Sequence, residues 1–326
     1  MRATALGSFP GTDMRATIRW VLGELDVLAP VPELPGRGVG AQMIGRTTAV
    51  LEGLAADLQP GGWRLTEASG IDHRRARSLL RQDLDDLEEL AQGWSGTLKL
   101  SVAGPFTLAA ELERPRGDKA LADHGARAEL VGSLAEGLAN LLSELRRRLP
   151  DAKLMAQLDE PMLPAVMSGG VKTASGFSRH RTVHLPEVAA AFTALATAVG
   201  DVPIVVHCCA PGLDLTALGS VSGVSLPASQ LRTPDLDRLG PWLEAGRSLL
   251  IGVHPTWPVD EKSSVDAGVG NALAFLRPLD LDPDLLTRTV TLTPDCGLAG
   301  WTPGAAVTCV RTVVRASNLV DEQLHR

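Results

Sequence analysis

Short apolar runs alternate with helical segments along almost the whole chain, and this alternation limits the possible fold more than any other feature. It is typical of a parallel sheet whose strands are connected by helices. The runs with the length and composition of strands are residues 3–8, 63–68, 98–103, 153–159, 203–208, 222–226, 248–253 and 289–293. The segments with apolar residues at helical spacing are 14–27, 71–95, 118–149, 186–199 and 303–320.

Eight strands alternating with helices predict a single α/β domain, a (β/α)₈ or TIM barrel over residues 1–326. The length of 326 residues lies within the range of such barrels. A doubly wound open sheet is the main alternative. No GxGxxG motif follows the first strand, which makes a dinucleotide-binding sheet of that kind less favoured.

Charge and composition exclude several classes of function. The net charge is −7 and only 3% of residues are aromatic, so neither a basic surface nor stacking platforms for nucleic acid are expected. No stretch approaches the ~18 apolar residues of a membrane-spanning helix, and the N-terminus lacks the apolar core of a signal peptide. Four cysteines in a chain of this length are not a disulfide framework. A reducing, cytoplasmic location is therefore expected.

Polar side chains stand where several predicted strands end. Ser8 ends the first run, Asp159 ends the fourth, His207 and Cys209 end the fifth, and Cys296 follows the last. In a barrel the carboxyl ends of all strands open on one face, where active sites are built. The sequence therefore predicts that these side chains share a site.

Three of these residues have the chemistry of zinc ligands. His207 and Cys209 are two residues apart and can face one point, and Cys296 approaches from another strand end. Thiolate and imidazole favour zinc, and three protein ligands leave the vacancy of a catalytic site. His207 as a hydrogen-bonded strand-end histidine and Cys209 as a small buried residue are the plainer alternatives. Cys208 and Cys309 are expected in the core.

Four stretches together resemble one enzyme family. They are LGSFPGT at 6–12, QLDEPML at 157–163, VHCCA at 206–210 and TPDCGL at 293–298. They follow the order, and resemble the motifs, of the catalytic C-terminal barrel of cobalamin-independent methionine synthase. Since they extend from one end of the chain to the other, the resemblance covers nearly all of it.

The resemblance implies a zinc-dependent methyltransferase that moves a methyl group to the thiol of homocysteine, giving methionine. His207, Cys209 and Cys296 take the zinc-ligand positions, Asp159 the position that binds the homocysteine amino group, and Ser8 one that contacts its amino-acid end. Without the resemblance, Asp159 would be interpreted as part of a strand-end turn and Ser8 as a cap. The donor is a methyl-folate or a methylcorrinoid. The short chain is more similar to the single-barrel members, for which a corrinoid is plausible.

The chain departs from the family pattern in its acids. The family has a further acidic zinc ligand after the next strand, where Pro227 or Ala228 stands here. In the segment PELPGRGVGAQM at 32–43, Glu33 is kept as a candidate substrate-binding residue, but Gln42 replaces an expected acid. The fourth zinc position is therefore expected to differ.

His254 is the candidate proton donor to the departing methyl carrier, because GVHPTWPVDE resembles a family loop with such a histidine. Its spacing differs, and a histidine that orders a proline-rich loop is the alternative.

Two other interpretations of the whole chain remain. One is a divergent, non-catalytic homologue that binds a thiol or a metal. The other is an enzyme like uroporphyrinogen decarboxylase, which needs no metal.

Overall fold

The structure, a computed structural model, describes residues 1–231 and 233–326. Its strands are β1 (Arg2–Ala3), β2 (Leu28–Pro30), β3 (Ala55–Gln59), β4 (Gly62–Thr66), β5 (Thr97–Ala103), β6 (Lys153–Asp159), β7 (Ile204–His207), β8 (Gly223–Pro227), β9 (Ser248–His254) and β10 (Val290–Pro294). Its α-helices are α1 (Met14–Glu24), α2 (Met43–Thr48), α3 (Ile71–Leu90), α4 (Pro105–Glu111), α5 (His124–Arg148), α6 (Leu163–Ser168), α7 (Leu185–Val199), α8 (Thr233–Glu244), α9 (Val265–Leu276), α10 (Pro283–Thr289) and α11 (Pro303–Leu324).

Eight parallel strands form one sheet in the order β1-β10-β9-β8-β7-β6-β5-β2. The two edge strands approach each other just beyond their ends, where Ser8 and Glu33 form a parallel bridge. The Phe9 N–H donates to the Glu33 carbonyl, and the Glu33 N–H donates to the Gly7 carbonyl, both at 2.9 Å. These contacts nearly close the sheet, so the prediction of a (β/α)₈ barrel is confirmed and the open-sheet alternative is wrong.

The prediction of the second barrel strand was wrong. Residues 63–68 were expected in the barrel, but Gly62–Thr66 pairs with Ala55–Gln59 in a separate antiparallel hairpin. The barrel strand at this place is Leu28–Pro30, which has only three residues and ends in proline. Proline and short length both count against a strand in a sequence-based prediction, whereas the hairpin strand shows the alternation that usually identifies one.

The five predicted helices are present as α1, α3, α5, α7 and α11. Two of them begin at a side-chain cap, because the carboxylates of Asp13 and Asp123 each accept the N–H three residues ahead, at 2.9 Å. Such caps satisfy backbone donors that the first helical turn leaves unpaired. The long α5 ends in three arginines. Their positive charges interact favourably with the negative C-terminal end of the helix dipole and so stabilise the helix.

The core that surrounds the barrel consists mainly of aliphatic side chains between strands and helices. A second, small apolar cluster is formed by Leu28, Met155, Val205 and Leu250, each from a different barrel strand. Since side chains two residues apart share a face, Gln157 and Asp159 lie on the same side of β6 as Met155, and His207 lies on the same side of β7 as Val205. The inner apolar layer therefore supports polar residues toward the carboxyl ends of the strands.

Candidate metal centre

Strand pairing brings the candidate residues side by side. Asp159 at the end of β6 is in register with His207 at the end of β7, and His207 is in register with Ser225 of β8. Cys209 lies two residues beyond β7, and Cys296 lies two residues beyond β10. His207 is buried, while the two cysteines are partly exposed.

His207, Cys209 and Cys296 form a cluster in which the potential ligand atoms all lie within 4.8 Å of one another. The Cys296 Sγ is 3.7 Å from the His207 Nε2. Tetrahedral zinc, with bonds of ~2.3 Å to sulfur and ~2.0–2.1 Å to nitrogen, places these two ligand atoms about 3.6 Å apart. The donor set and its spacing therefore fit a zinc ion, which these three side chains can hold.

The two thiols of the cluster affect each other. The Cys296 thiol and His207, both hydrogen bonded to the Cys209 sulfur, lower the pKa of the Cys209 thiol. The same contact with Cys209, together with burial, raises the pKa of Cys296. A thiolate is the form that binds metal, so Cys209 is prepared for ligation by its neighbours. Cys208 and Cys309 are fully buried, in agreement with their expected place in the core.

The segment that lacks the expected acid supports the cluster with neutral groups. The Ser225 hydroxyl lies 3.1 Å from His207 Nδ1, so the other ring nitrogen is directed at the cysteines. The Gln230 side-chain amide donates to the Cys209 carbonyl. Neither Ser225 nor Gln230 was singled out from the sequence. No carboxylate joins the three ligands in residues 1–231 and 233–326.

A small cavity of about 150 Å³ lies beside the cluster. It is lined by Ser8, Glu33, Asp159, His207, Cys209 and Cys296, along with Leu6, Pro35, Met43, Gln157, Pro161 and Gly297. Six of the seven site residues predicted from sequence therefore meet in one place. Gln42, the position where an acid was expected, is exposed, and its neighbour Met43 lines the cavity instead.

Ser8 and Cys296 are held together by close packing of their backbones. The Leu298 N–H donates to the Ser8 carbonyl at 2.9 Å. A Cβ on Gly297 would lie only 1.9 Å from the Ser8 hydroxyl, so no larger residue fits at this point. Glycine next to Cys296 is thus explained by a close approach, whereas the sequence indicated only a possible turn.

Two acids face the cavity, the buried Glu33 and the partly buried Asp159. Burial raises the pKa of Glu33 to about 7, while Arg46, whose Nε lies 3.6 Å from the carboxylate, lowers it. Burial also raises the pKa of Asp159, and His207 and the Gln157 amide oppose this shift. Burying a carboxylate is unfavourable unless a partner compensates, and acids kept in this condition are typical of functional sites.

Glu160, the other acid of the Asp-Glu-Pro motif, has a structural position. Its carboxylate accepts the N–H groups of Phe106 and Thr107, at 2.9 and 2.8 Å, and the Thr107 hydroxyl at 2.7 Å. These donors belong to the first turn of α4, so Glu160 caps that helix. Of the two adjacent acids in the motif, Glu160 is therefore engaged within the fold and Asp159 lines the cavity.

His254 is not brought to the cavity. It ends β9 and is 2% exposed, and its Nε2 lies 2.6 Å from where a Cβ on Gly268 of α9 would stand. That nitrogen has no hydrogen-bond partner in the described part of the chain, and burial lowers the pKa of the ring. The structure thus places His254 between the barrel and α9, away from the other six residues.

Comparisons with known proteins bear on the fold. A B12-independent methionine synthase from Shewanella sp. W3-18-1, solved in complex with selenomethionine, superposes with a TM-score of 0.64 at 12% identity. The alignment covers 99% of this chain and 98% of that one. At this identity the likeness shows that the two chains share the barrel fold.

Weaker or absent matches complete the comparison. A β-1,4-D-mannanase from Cryptopygus antarcticus aligns with a TM-score of 0.47 at 11% identity, over 95% of this chain and 89% of that one. No protein-family model matches the sequence, and no curated protein matches it. Among the described residues, no helix is both long and apolar enough to cross a membrane.

Proposed function

We propose that this chain is a zinc-dependent methyltransferase of the methionine synthase type, acting on the thiol of homocysteine or a closely similar amino acid. The observation that carries the proposal is the cavity itself, in which a cluster of one imidazole and two thiols faces the acids Glu33 and Asp159. The shared barrel of the B12-independent methionine synthase supports it. A reducing cytoplasm is the location that keeps such thiols available.

In this proposal His207, Cys209 and Cys296 hold zinc and leave one position open for the substrate sulfur. Bound zinc lowers the pKa of a coordinated thiol, so that thiolate is present at neutral pH. The Ser225 hydroxyl keeps His207 in the orientation needed for ligation.

In this proposal Asp159 and Glu33 recognise the amino-acid end of the substrate. Asp159 lines the cavity next to His207, and a carboxylate is a fitting partner for an ammonium group. Glu33 faces the same space from the segment after β2, and Ser8 adds a hydroxyl from the segment after β1. A cavity of about 150 Å³ is smaller than the ~300–1,000 Å³ typical of drug-sized ligands, which favours a small amino-acid thiol as its occupant.

The proposed reaction is a substitution at the methyl carbon. The substrate sulfur forms the new bond with its electron pair, the thiol proton having been lost to solvent. The bond from the methyl carbon to the donor breaks, and its electron pair stays on the donor atom, a folate nitrogen or a corrinoid cobalt. His254, the candidate for protonating a folate nitrogen, lies outside the cavity and against Gly268 of α9, so this proposal assigns it no step.

A binding protein for a thiol or metal is the second candidate, and one observation favours it. No acid joins the three ligands in the described residues, although the resembling family has one there. The assay that decides is thiol methylation by the zinc-loaded chain, with homocysteine offered against methyl-folate and methylcobalamin in parallel. Methionine formed from either donor supports the enzyme. Full zinc occupancy without methylation from either donor supports the binding protein, and lack of zinc binding favours the decarboxylase-like interpretation.

A further inference from the structure

A lysine is completely buried beneath the cavity. Lys99 stands in the middle of β5, with 0% of its surface exposed. Its ammonium group donates to the Leu6 carbonyl at 3.0 Å and to the Gln157 side-chain oxygen. Burying a charge is costly unless it is paired and hydrogen bonded, so a lysine at this depth indicates a task. The reaction described above does not use it.

The charge of Lys99 fixes the direction of the Gln157 amide. An ammonium group has donors only, so the oxygen of the glutamine must face it and the NH₂ group must face away. That NH₂ group donates to the Leu6 carbonyl at 3.0 Å and to Asp159 Oδ1 at 2.7 Å. The N–H group that Gln157 directs at Asp159 therefore depends on Lys99, which itself makes no hydrogen bond to Asp159.

We propose that Lys99, acting through Gln157, is the positioning residue that orients Asp159 to receive the amino group of the substrate. The proposal rests on the assignment of Asp159 as the ammonium partner in the proposed function. One oxygen of Asp159 is held by the Gln157 amide, which leaves the other for the ligand in the cavity. The pair Lys99 and Gln157 thereby determines selectivity for thiols that carry an amino group.

The physical reason for a lysine is directional. If a neutral apolar side chain replaced it, the Gln157 side-chain oxygen would lose its buried donor. The amide would then be held only through its NH₂ group, by the Leu6 carbonyl and Asp159, and it could shift away from Asp159 to find a new donor for its oxygen. An unpaired acceptor in a buried network is unfavourable, so the orientation of Asp159 would no longer be defined.

The test measures binding rather than turnover. Zinc-loaded protein is titrated by calorimetry with homocysteine and with 4-mercaptobutanoate, which is homocysteine without its amino group. The ratio of the two Kd values reports recognition of the amino group. The variants are Lys99→Met, Gln157→Met and the double variant. The control is Thr291→Val, at a fully buried barrel position whose hydroxyl has no hydrogen-bond partner among the described residues.

We expect each single variant to lower the preference for homocysteine about ten-fold, the lower end of what a hydrogen bond to a charged group contributes. The Kd for 4-mercaptobutanoate and the zinc content should be unchanged. Because Lys99 acts through Gln157, the double variant should lose no more preference than either single variant. Equal weakening of both thiols in Lys99→Met, or additive losses in the double variant, would overturn the proposal.

Gln157→Glu keeps the proposal testable if Lys99→Met does not fold. A glutamate still accepts from Lys99 but offers Asp159 an acceptor in place of the donor, so the preference should be lost. If this variant keeps it, the proposal is wrong. The binding readout is independent of methyl transfer: a chain that methylates nothing can still show the expected losses. A wild-type protein with full zinc and no preference for homocysteine overturns the proposal whatever its activity.

Discussion

His207 and Ser225 face each other across the paired strands β7 and β8, with 3.1 Å between the imidazole Nδ1 and the serine hydroxyl. This contact directs Nε2 toward Cys296, 3.7 Å away. The hydrogen-bond partner of a ligating histidine fixes both its ring orientation and its tautomer. The strand that lacks the expected acidic ligand therefore still contributes a contact to the candidate metal centre.

Ser225→Ala should weaken zinc binding without removing a ligand. Since the loss of such a partner typically reduces metal affinity 10–100-fold, we expect about a ten-fold rise in the zinc Kd. Competition with a chromophoric chelator measures it. Ser317→Ala, which removes an equally buried serine hydroxyl from α11, is the control and should leave the zinc Kd unchanged. An unchanged Kd in Ser225→Ala would show that the ring is oriented by other contacts.

The purified protein should bind about one zinc per chain, with zinc–sulfur distances near ~2.3 Å and one zinc–nitrogen distance near ~2.0–2.1 Å. Cys296→Ser and His207→Ala each remove one of three ligands, so both should lose most of the metal. Elemental analysis and X-ray absorption spectroscopy give these values. Cys309→Ala, buried in α11, should keep its zinc. Reduced protein that takes up no zinc when supplemented would contradict the prediction.

The strand-end residues could be predicted because sequence places them without knowledge of strand pairing. In any parallel barrel, residues that directly follow strands lie on one face, so Asp159, His207, Cys209 and Cys296 could be grouped before the fold was known. Ser225 could not, because its role depends on the register of β7 against β8, which no local pattern shows.

Lys99 was missed for a different reason. A lysine in a strand is normally exposed, so LKLSVA was interpreted as an ordinary strand. A signal was nevertheless present: Leu98, Leu100 and Val102 share one face, which in a barrel packs against helices. Lys99 and Ser101 must then face the interior. The barrel prediction and the alternation together could have identified the buried lysine.

Glu33→Gln should stabilise the protein at high pH. The pKa of Glu33 is raised to about 7 from 4.5, mainly by burial. An acid whose pKa is raised by folding contributes stability below its unfolded pKa and loses that contribution as pH rises through the folded value. Relative to wild type, the variant should therefore gain on the order of 2–3 kcal/mol in free energy of unfolding between pH 4.5 and pH 8.

Urea unfolding of both proteins at several pH values measures this difference. Glu52→Gln, which removes a carboxylate at an exposed position, is measured in parallel as the control. The same variant at Glu33 should bind homocysteine more weakly, because it removes an acid from the cavity. A stability difference between Glu33→Gln and wild type that does not change with pH would show that Glu33 titrates as it does in the unfolded chain.

Asp159→Asn tests the assignment of the ammonium partner. The change keeps the shape of the side chain but removes its charge. It should therefore weaken substrate binding more than it slows activation of the substrate thiol. A hydrogen bond to a charged group contributes roughly 1.5–3 kcal/mol, so the KM for homocysteine should rise on the order of ten- to a hundred-fold. The preference over a simple thiol without an amino group should weaken by the same factor.

Zinc content separates the two tasks that an acid at this position can have. Asp159 lies next to His207 in the sheet, so a carboxylate that supports the metal and one that binds the substrate would occupy the same place. If Asp159 binds the ammonium group, Asp159→Asn keeps its zinc, and its KM for a thiol without an amino group is that of wild type. If the variant loses zinc, Asp159 is a ligand or holds one in place. The three-residue cluster would then be completed by this acid, which would replace the one that β8 lacks.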